Sequence, residues 1–385
     1  MKEKILINCS NLHLGGGVAV ASSFIDCMSV ADDSRSDDLE IHLFVSSKVD
    51  QNVRSLQVDV TKFASYEVMD FYGVSALWKG LGKKLAGYDA VFTVFGPAYT
   101  LRRIKNHFVG FAQPNIIYPD NPVNRKLPLL QKAKTRAKYF FQKLFFALAS
   151  GVVVELPHVK QGLRRLPWFR DKKIFVVESA VHSVYSRKGD WEPLGEGVMD
   201  SADLKLGLVS RNYPHKNLEV LPEVKRILKE AFDMEVSLYV TFTDDEWETC
   251  DDSFRASVIN VGPLKLAQCP SFYAQLDGVV FPTVLECFSA VPIETFMLEK
   301  PLFVSDRDFI RDICREHANY FDPLSPYSIA ISIHQFFSLP PDVQHKRTMA
   351  AHKFVQSLPG PDVRAARYLD ILRSELNECS QVHHV

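Results

Sequence analysis

The sequence predicts an α/β protein built as two doubly wound, parallel-sheet domains that face each other across a cleft. Three observations lead there. The chain has 385 residues, more than one core of ordinary size holds, so two domains of about 150–200 residues are expected. Short apolar runs of strand length alternate with stretches at helical spacing, which favours parallel sheets covered on both faces. The alternation breaks once, over 182–202 (HSVYSRKGDWEPLGEGVMDSA), a segment rich in Gly, Pro and charge that reads as a linker.

The elements follow in order. Ile5 to Cys9 form a strand that ends at Gly15, Gly16 and Gly17, and Val18, Ala21, Phe24, Ile25 and Met28 then recur at helical spacing. Further strands are expected at 40–46, 89–95, 107–112, 151–155 and 173–178, with helices over 75–86 and 128–149. After the linker come strand 204–209, helix 217–232, strands 235–242, 257–261 and 277–281, helix 289–299 and strand 301–304. Residues 362–378 read as a terminal amphipathic helix and His383-His384 as a tail. The expected domains are therefore 1–181 and 203–361, with a closing segment over 362–385 that packs back on the first domain. Ligands of such sheets bind beyond the carboxyl ends of strands, so chemistry is expected in those loops.

Composition narrows the function. Hydrophobic residues make up 46% and charged residues 24%, an ordinary soluble globular balance. The formal charge of −1 argues against a nucleic-acid binder. No apolar run reaches the ~18–20 residues of a membrane-spanning helix, and MKEKILINCS has no long apolar stretch of a secretory signal. The seven scattered cysteines, none in a CxxC pair, read as reduced cytosolic thiols. There is no GxSxG, HExxH or GxxxxGK(S/T). No DxD follows a strand, and Asp244-Asp245 and Asp251-Asp252 read as surface helix charges, so no metal site is expected.

Four constellations carry candidate chemistry. Gly15 to Gly17 would let backbone N–H groups approach an anion at a helix N-terminus, and equally fit an ordinary tight turn. Arg211 and Lys216 lie in the loop leaving strand 204–209, with Asn217 placed to cap the next helix; they form either a diphosphate clamp or a solvated pair. Glu286 and Glu294 bracket ECFSAVPIE after strand 277–281. Carboxylates suit paired sugar hydroxyls, and the amides of Phe288, Ser289 and Ala290 would face a phosphate at the helix start. Either acid alone also fits a plain helix residue. Finally, 121–154 contain no acidic residue, and Lys132, Lys134, Arg136 and Lys138 interleave with apolar positions. That helix either lies on an anionic membrane surface or packs on the core with a solvated basic face.

These residues resemble the retaining glycosyltransferases of family 4, which have the GT-B fold of two Rossmann-like domains. The resemblance is best over 204–325, in VSRNYPHKN and in the block from VINVGPL to PLFVSD that holds the E-x7-E pair. It implies that Arg211 and Lys216 bind the donor diphosphate, that Glu294 holds ribose hydroxyls and that Glu286 contacts the transferred sugar. Phe288, Ser289 and Ala290, with Gly16 and Gly17, would complete the anion site. The donor would be a UDP- or GDP-sugar and no cofactor or metal would be required. The acceptor would be a glycolipid or oligosaccharide in surface polysaccharide assembly, reached from the cytoplasm at the inner face of the membrane. The family often has a histidine where this chain reads GFAQPN (110–115); Gln113 would replace its sugar contact, or the donor would be a 6-deoxy sugar. Glu178-Ser179 replace a common Asn-Gly, and Ser289 a common glycine. The competing expectations are a non-catalytic module of the same fold that binds a nucleotide or a partner, and a sugar-nucleotide 2-epimerase or a phosphorylase.

Overall fold

A computed structural model of the chain describes residues 2–13, 15–30, 39–195, 197–199 and 203–382, with side chains to 378. The predicted tail at 383–385, and positions 196 and 200–202 of the predicted linker, lie outside the described residues. Packing divides the chain into two units. One comprises Met1–Asp120, Lys126–His182 and Pro359–Val385, the other Asn121–Arg125 and Ser183–Leu358.

The first unit holds strands β1 (Glu3–Cys9), β2 (Leu39–Val45), β3 (Ser65–Val68), β4 (Ala90–Thr93), β5 (His107–Gly110), β6 (Gly151–Val154) and β7 (Lys173–Val176). They pair in the order β3-β2-β1-β4-β5-β6-β7, all parallel. Ile5, Leu6 and Ile7 are all fully buried, as a central strand covered on both faces requires. Helix α1 (Gly16–Val30) follows the glycine loop, and α2 (Leu129–Leu148) leads into β6. The second unit holds β8 (Leu204–Gly207), β9 (Val236–Val240), β10 (Val258–Asn260), β11 (Gly278–Phe281), β12 (Leu302–Ser305) and β13 (Asn319–Phe321). Their order is β10-β9-β8-β11-β12-β13, again all parallel. Helices α3 (Leu221–Phe232), α4 (Cys269–Gln275) and α5 (Val291–Met297) belong to this unit. In each sheet the strand order reverses once, between β1 and β4 and between β8 and β11. These are the topological switch points of doubly wound folds.

The last helix, α6 (Pro361–Val382), returns to the first unit. Its Tyr368 ring sits edge-on to Phe24 of α1 at 5.1 Å and 4.8 Å from Phe92 of β4, and Leu372 and Leu376 enter the same core. The fully buried Arg364 donates through Nη2 to Ser23 Oγ at 3.0 Å. At the other end, Lys173 Nζ reaches Glu375 and Glu378 at 2.8 and 2.7 Å.

Several expectations need correction. The helix predicted over 75–86 is a 3-10 turn, Gly73–Leu77, and a short helix, Leu81–Leu85. Gly80 between them has φ +76°, a left-handed backbone that no helix continues through. Strands β3 and β13 were not foreseen. Both are short edge strands, and SYEV and NYF carry no apolar run. Asn217 does not cap a helix through its side chain. Its backbone is left-handed, with φ +57°, and its Nδ2 donates to Pro323 O at 2.8 Å. The helix that carries the second acid of E-x7-E begins at Val291 rather than 289, with Pro292 in its first turn, so Phe288, Ser289 and Ala290 belong to the preceding loop.

Candidate functional site

The loops that carry Arg211, Lys216, Glu286 and Glu294 leave β8 and β11, the two strands that flank the switch point of the second unit. One carbonyl stitches the loops together: His215 O accepts the Val284 N–H at 2.8 Å, and the Thr283 hydroxyl lies 3.1 Å from it. This brings Lys216 to Glu286 with Nζ 2.6 Å from Oε1, both side chains nearly buried, and the ammonium 4.8 Å from the Phe281 ring centroid. Thr283 Oγ1 is also 3.1 Å from Glu286 Oε1, so its single proton serves either His215 O or the carboxylate. The His215 ring stacks on Tyr213 with its Nε2 3.7 Å from Glu286. Burial holds this imidazole below its ordinary pKa, against the opposing pull of Glu286, so it is neutral at pH 7.

Glu294 projects from the first turn of α5 and takes the Tyr273 hydroxyl on Oε2 at 3.2 Å. Tyr185, from the 3-10 turn Ser183–Tyr185, bonds the same carboxylate. Burial pushes this carboxyl up to about 7, against the lowering effect of the two hydroxyls and the Lys216 charge. The two phenols are in turn pushed up by burial and by Glu294, which keeps them protonated donors.

Arg211 is held elsewhere. Its Nε lies 2.9 Å from both oxygens of Glu246, which also accepts the Asn212 and Thr243 N–H groups. Glu246 closes a capping box with Thr243 on the short helix Asp244–Glu248, so its carboxylate is fixed from two sides. The terminal nitrogens of Arg211 have no protein acceptor among the described residues, and neither do the backbone N–H groups of Phe288, Ser289 and Ala290.

The structure thus brings Lys216, Glu286 and Glu294 into one electrostatic group, and Arg211 is paired to Glu246. Sequence reasoning missed Glu246, Tyr185 and Tyr273; only the T-x-x-E spacing of Thr243 and Glu246 signalled a fixed carboxylate. The remaining predicted residues lie in the first unit. Gly16 and Gly17 open α1, and a Cβ at Gly16 would meet open space. Gln113 precedes the short helix Pro114–Ile117 without capping it. Lys132, Lys134, Arg136 and Lys138 lie on α2. Beside the glycine loop stands another group that the sequence did not announce. His13 Nε2 is 3.0 Å from Phe71 O, its Nδ1 is 3.5 Å from Asp70, and its ring stacks on Tyr72 at 3.8 Å. Among the described residues no three His, Cys, Asp or Glu side chains are grouped to hold a metal.

Two parallel-sheet α/β units of this topology define the GT-B fold. Over 97% of its length the chain is similar to a glycosyltransferase from Rickettsia africae ESF-5, with TM-score 0.68, 15% identity and 99% of that chain covered. It is equally similar to sucrose-phosphate synthase from Thermosynechococcus elongatus, with TM-score 0.68, 13% identity and the same 97% and 99% of the two chains covered. Anabaena HepE in complex with UDP and glucose follows, with TM-score 0.64, 13% identity, 97% of this chain and 100% of that chain covered. No protein-family model and no curated protein matches the chain.

Proposed function

We propose that the protein is a retaining, metal-independent glycosyltransferase of the family 4 type. It would move a sugar from a UDP- or GDP-sugar to a hydroxyl of a glycolipid or polysaccharide precursor, as in lipopolysaccharide, O-antigen or capsule assembly. The observation that carries the reading is the group Lys216, Glu286 and Glu294 at the switch point of the second unit, where doubly wound sheets bind their ligands. The complexes of the similar HepE with UDP and glucose and with UDP-glucose support a uridine diphosphate donor.

In this mechanism the Lys216 ammonium donates one N–H to Glu286 and keeps two for the diphosphate. The free terminal nitrogens of Arg211 and the free amides of Phe288 to Ala290 add to the same anion site. Glu294, once ionised, accepts two ribose hydroxyls, and Glu286 takes a hydroxyl of the sugar. The bond from the anomeric carbon to the diphosphate breaks as an oxocarbenium-like sugar forms. The acceptor hydroxyl attacks from the leaving-group face and passes its proton to a phosphate oxygen. Catalysis is then stabilisation of separated charge by pre-placed donors. In the first unit, Gly16 and Gly17 offer backbone donors to an anion and Gln113 a sugar contact. The protein would work in the cytoplasm, peripheral to the inner membrane face, through the basic helix bearing Lys132, Lys134, Arg136 and Lys138.

Thermal unfolding with UDP, GDP, ADP and CDP tests the reading. UDP or GDP should raise Tm, since a ligand that binds only the folded state stabilises it; a flat response to all four overturns it. Lys216→Ala should lower sugar transfer by about 100-fold or more. The commitment of Arg211 to Glu246 favours a second reading, a nucleotide-binding module without transfer. Unchanged turnover in Arg211→Ala would remove that arginine from the mechanism, and nucleotide binding with no transfer to any acceptor would establish the module.

A further inference from the structure

Helix α2 is seated by one face only. Phe146 packs on Phe111 at 4.9 Å, Phe145 meets Tyr99 edge-on at 4.9 Å, and Gln142 donates to the Tyr99 hydroxyl at 3.1 Å. Turned away from that seat are Leu129, Leu130, Phe140, Phe141, Leu144 and Leu148, which are 37–85% exposed. With Ala133 and Ala137, also exposed, they recur every three or four residues and make a continuous apolar stripe along the 20-residue helix. Trp168 prolongs the stripe, its exposed ring 5.4 Å from Phe140. An unburied stripe of this size on a soluble surface marks a contact with something apolar.

Its borders say what that is. At 3.6 residues per turn Lys134 and Lys138 lie along one edge, and Lys132, Arg136 and Lys143 along the other. None of the five forms an ion pair with a carboxylate among the described residues, and 121–154 contain no acidic side chain. Lys143 lies 4.9 Å from the Trp168 ring centroid, an aromatic and cationic pairing suited to the headgroup level. Apolar residues in the middle, cations on both flanks and an aromatic at the margin fit a helix that lies in the plane of an anionic bilayer. No helix among the described residues is long and apolar enough to cross a membrane.

We infer that α2 is the membrane-docking surface of the protein. Its stripe of Leu129, Phe140, Phe141 and Leu144 enters the acyl boundary of an anionic leaflet while the flanking lysines and Arg136 meet lipid phosphates. The inference rests on the peripheral location given above and supplies its physical basis: the contact is apolar insertion as well as charge.

Co-sedimentation tests this with vesicles of phosphatidylcholine alone and of phosphatidylcholine with phosphatidylglycerol, without donor. Wild-type protein should bind the anionic vesicles far better and lose binding as salt rises. Combined F140S, F141S and L144S should weaken binding by about tenfold or more at unchanged Tm, because these side chains are exposed. Lys134→Gln with Lys138→Gln should weaken it similarly at low salt, and the wild-type tryptophan emission should shift to the blue on binding, a shift lost in Trp168→Phe. Equal binding to both vesicle types, or a triple-serine variant that binds as well as wild type, overturns the inference. So does a triple variant that turns a dimer into a monomer, since the stripe would then be covered by a second copy. The UDP and GDP thermal shift, measured without lipid on the same variants, reports separately on the transferase reading.

Discussion

A carboxyl held near 7 is the residue-scale feature with the clearest consequence. Between about pH 4.5 and 7 folded Glu294 keeps a proton that the unfolded chain has released, so stability falls as pH rises through that window. The cost is absent below it and complete above it, at most about 3 kcal/mol. Glu294→Gln removes the titration, so urea denaturation should show the variant gaining on wild type from about pH 5 to pH 8. Nucleotide affinity should move the other way: UDP binds more tightly to wild type as the carboxylate forms, and the Gln variant shows no such rise. Glu246 makes a second residue-scale prediction. Glu246→Gln weakens the charge-assisted grip on Arg211, so kcat should fall by about tenfold with little change in KM, and a further Arg211→Ala should cost less than it does alone. Lys216 and Glu286 stood out as candidates in the sequence because their loops leave the apolar runs 204–209 and 277–281, and Glu294 because it completes the E-x7-E spacing. Tyr185 and Tyr273 did not, because each meets Glu294 only through the tertiary fold. For Glu246 the local T-x-x-E spacing with Thr243 was visible but its grip on Arg211 was not.

Elements were legible wherever burial on both faces leaves an uninterrupted apolar run, as in β1, β6 and β11. Edge strands β3 and β13 carry half-exposed residues and leave no such trace. The helix over 75–86, expected from the length of the stretch between strands, is interrupted at Gly80, whose backbone is left-handed. The final helix shows the reverse case: its amphipathic spacing was visible, but its buried Arg364 was not. Leu372 of α6 is 1% exposed in the core formed with α1 and β4. Leu372→Ala should therefore cost about 2–4 kcal/mol, measured by urea denaturation. Gly110→Ala in β5 should be at least as damaging, since its Cβ would fall 1.8 Å from Val94 O, a backbone atom with no room to yield.

At the scale of the whole molecule, the second unit is an insertion within the first. Residues from both sides of Ser183–Leu358 share one core, in which Tyr368 touches Phe24 and Phe92. A chain stopped after residue 358 should retain its second unit but leave the α1 surface bare, which dye binding and loss of the first cooperative transition would report. Translation imposes the same condition on every copy made. The ribosome delivers the seven-stranded sheet first and the segment that seals it last, so the sheet waits, apolar flank open, while some 180 intervening residues are synthesised. Nascent copies of this protein should therefore draw holding chaperones over that interval, and slow codons within the inserted unit would lengthen it.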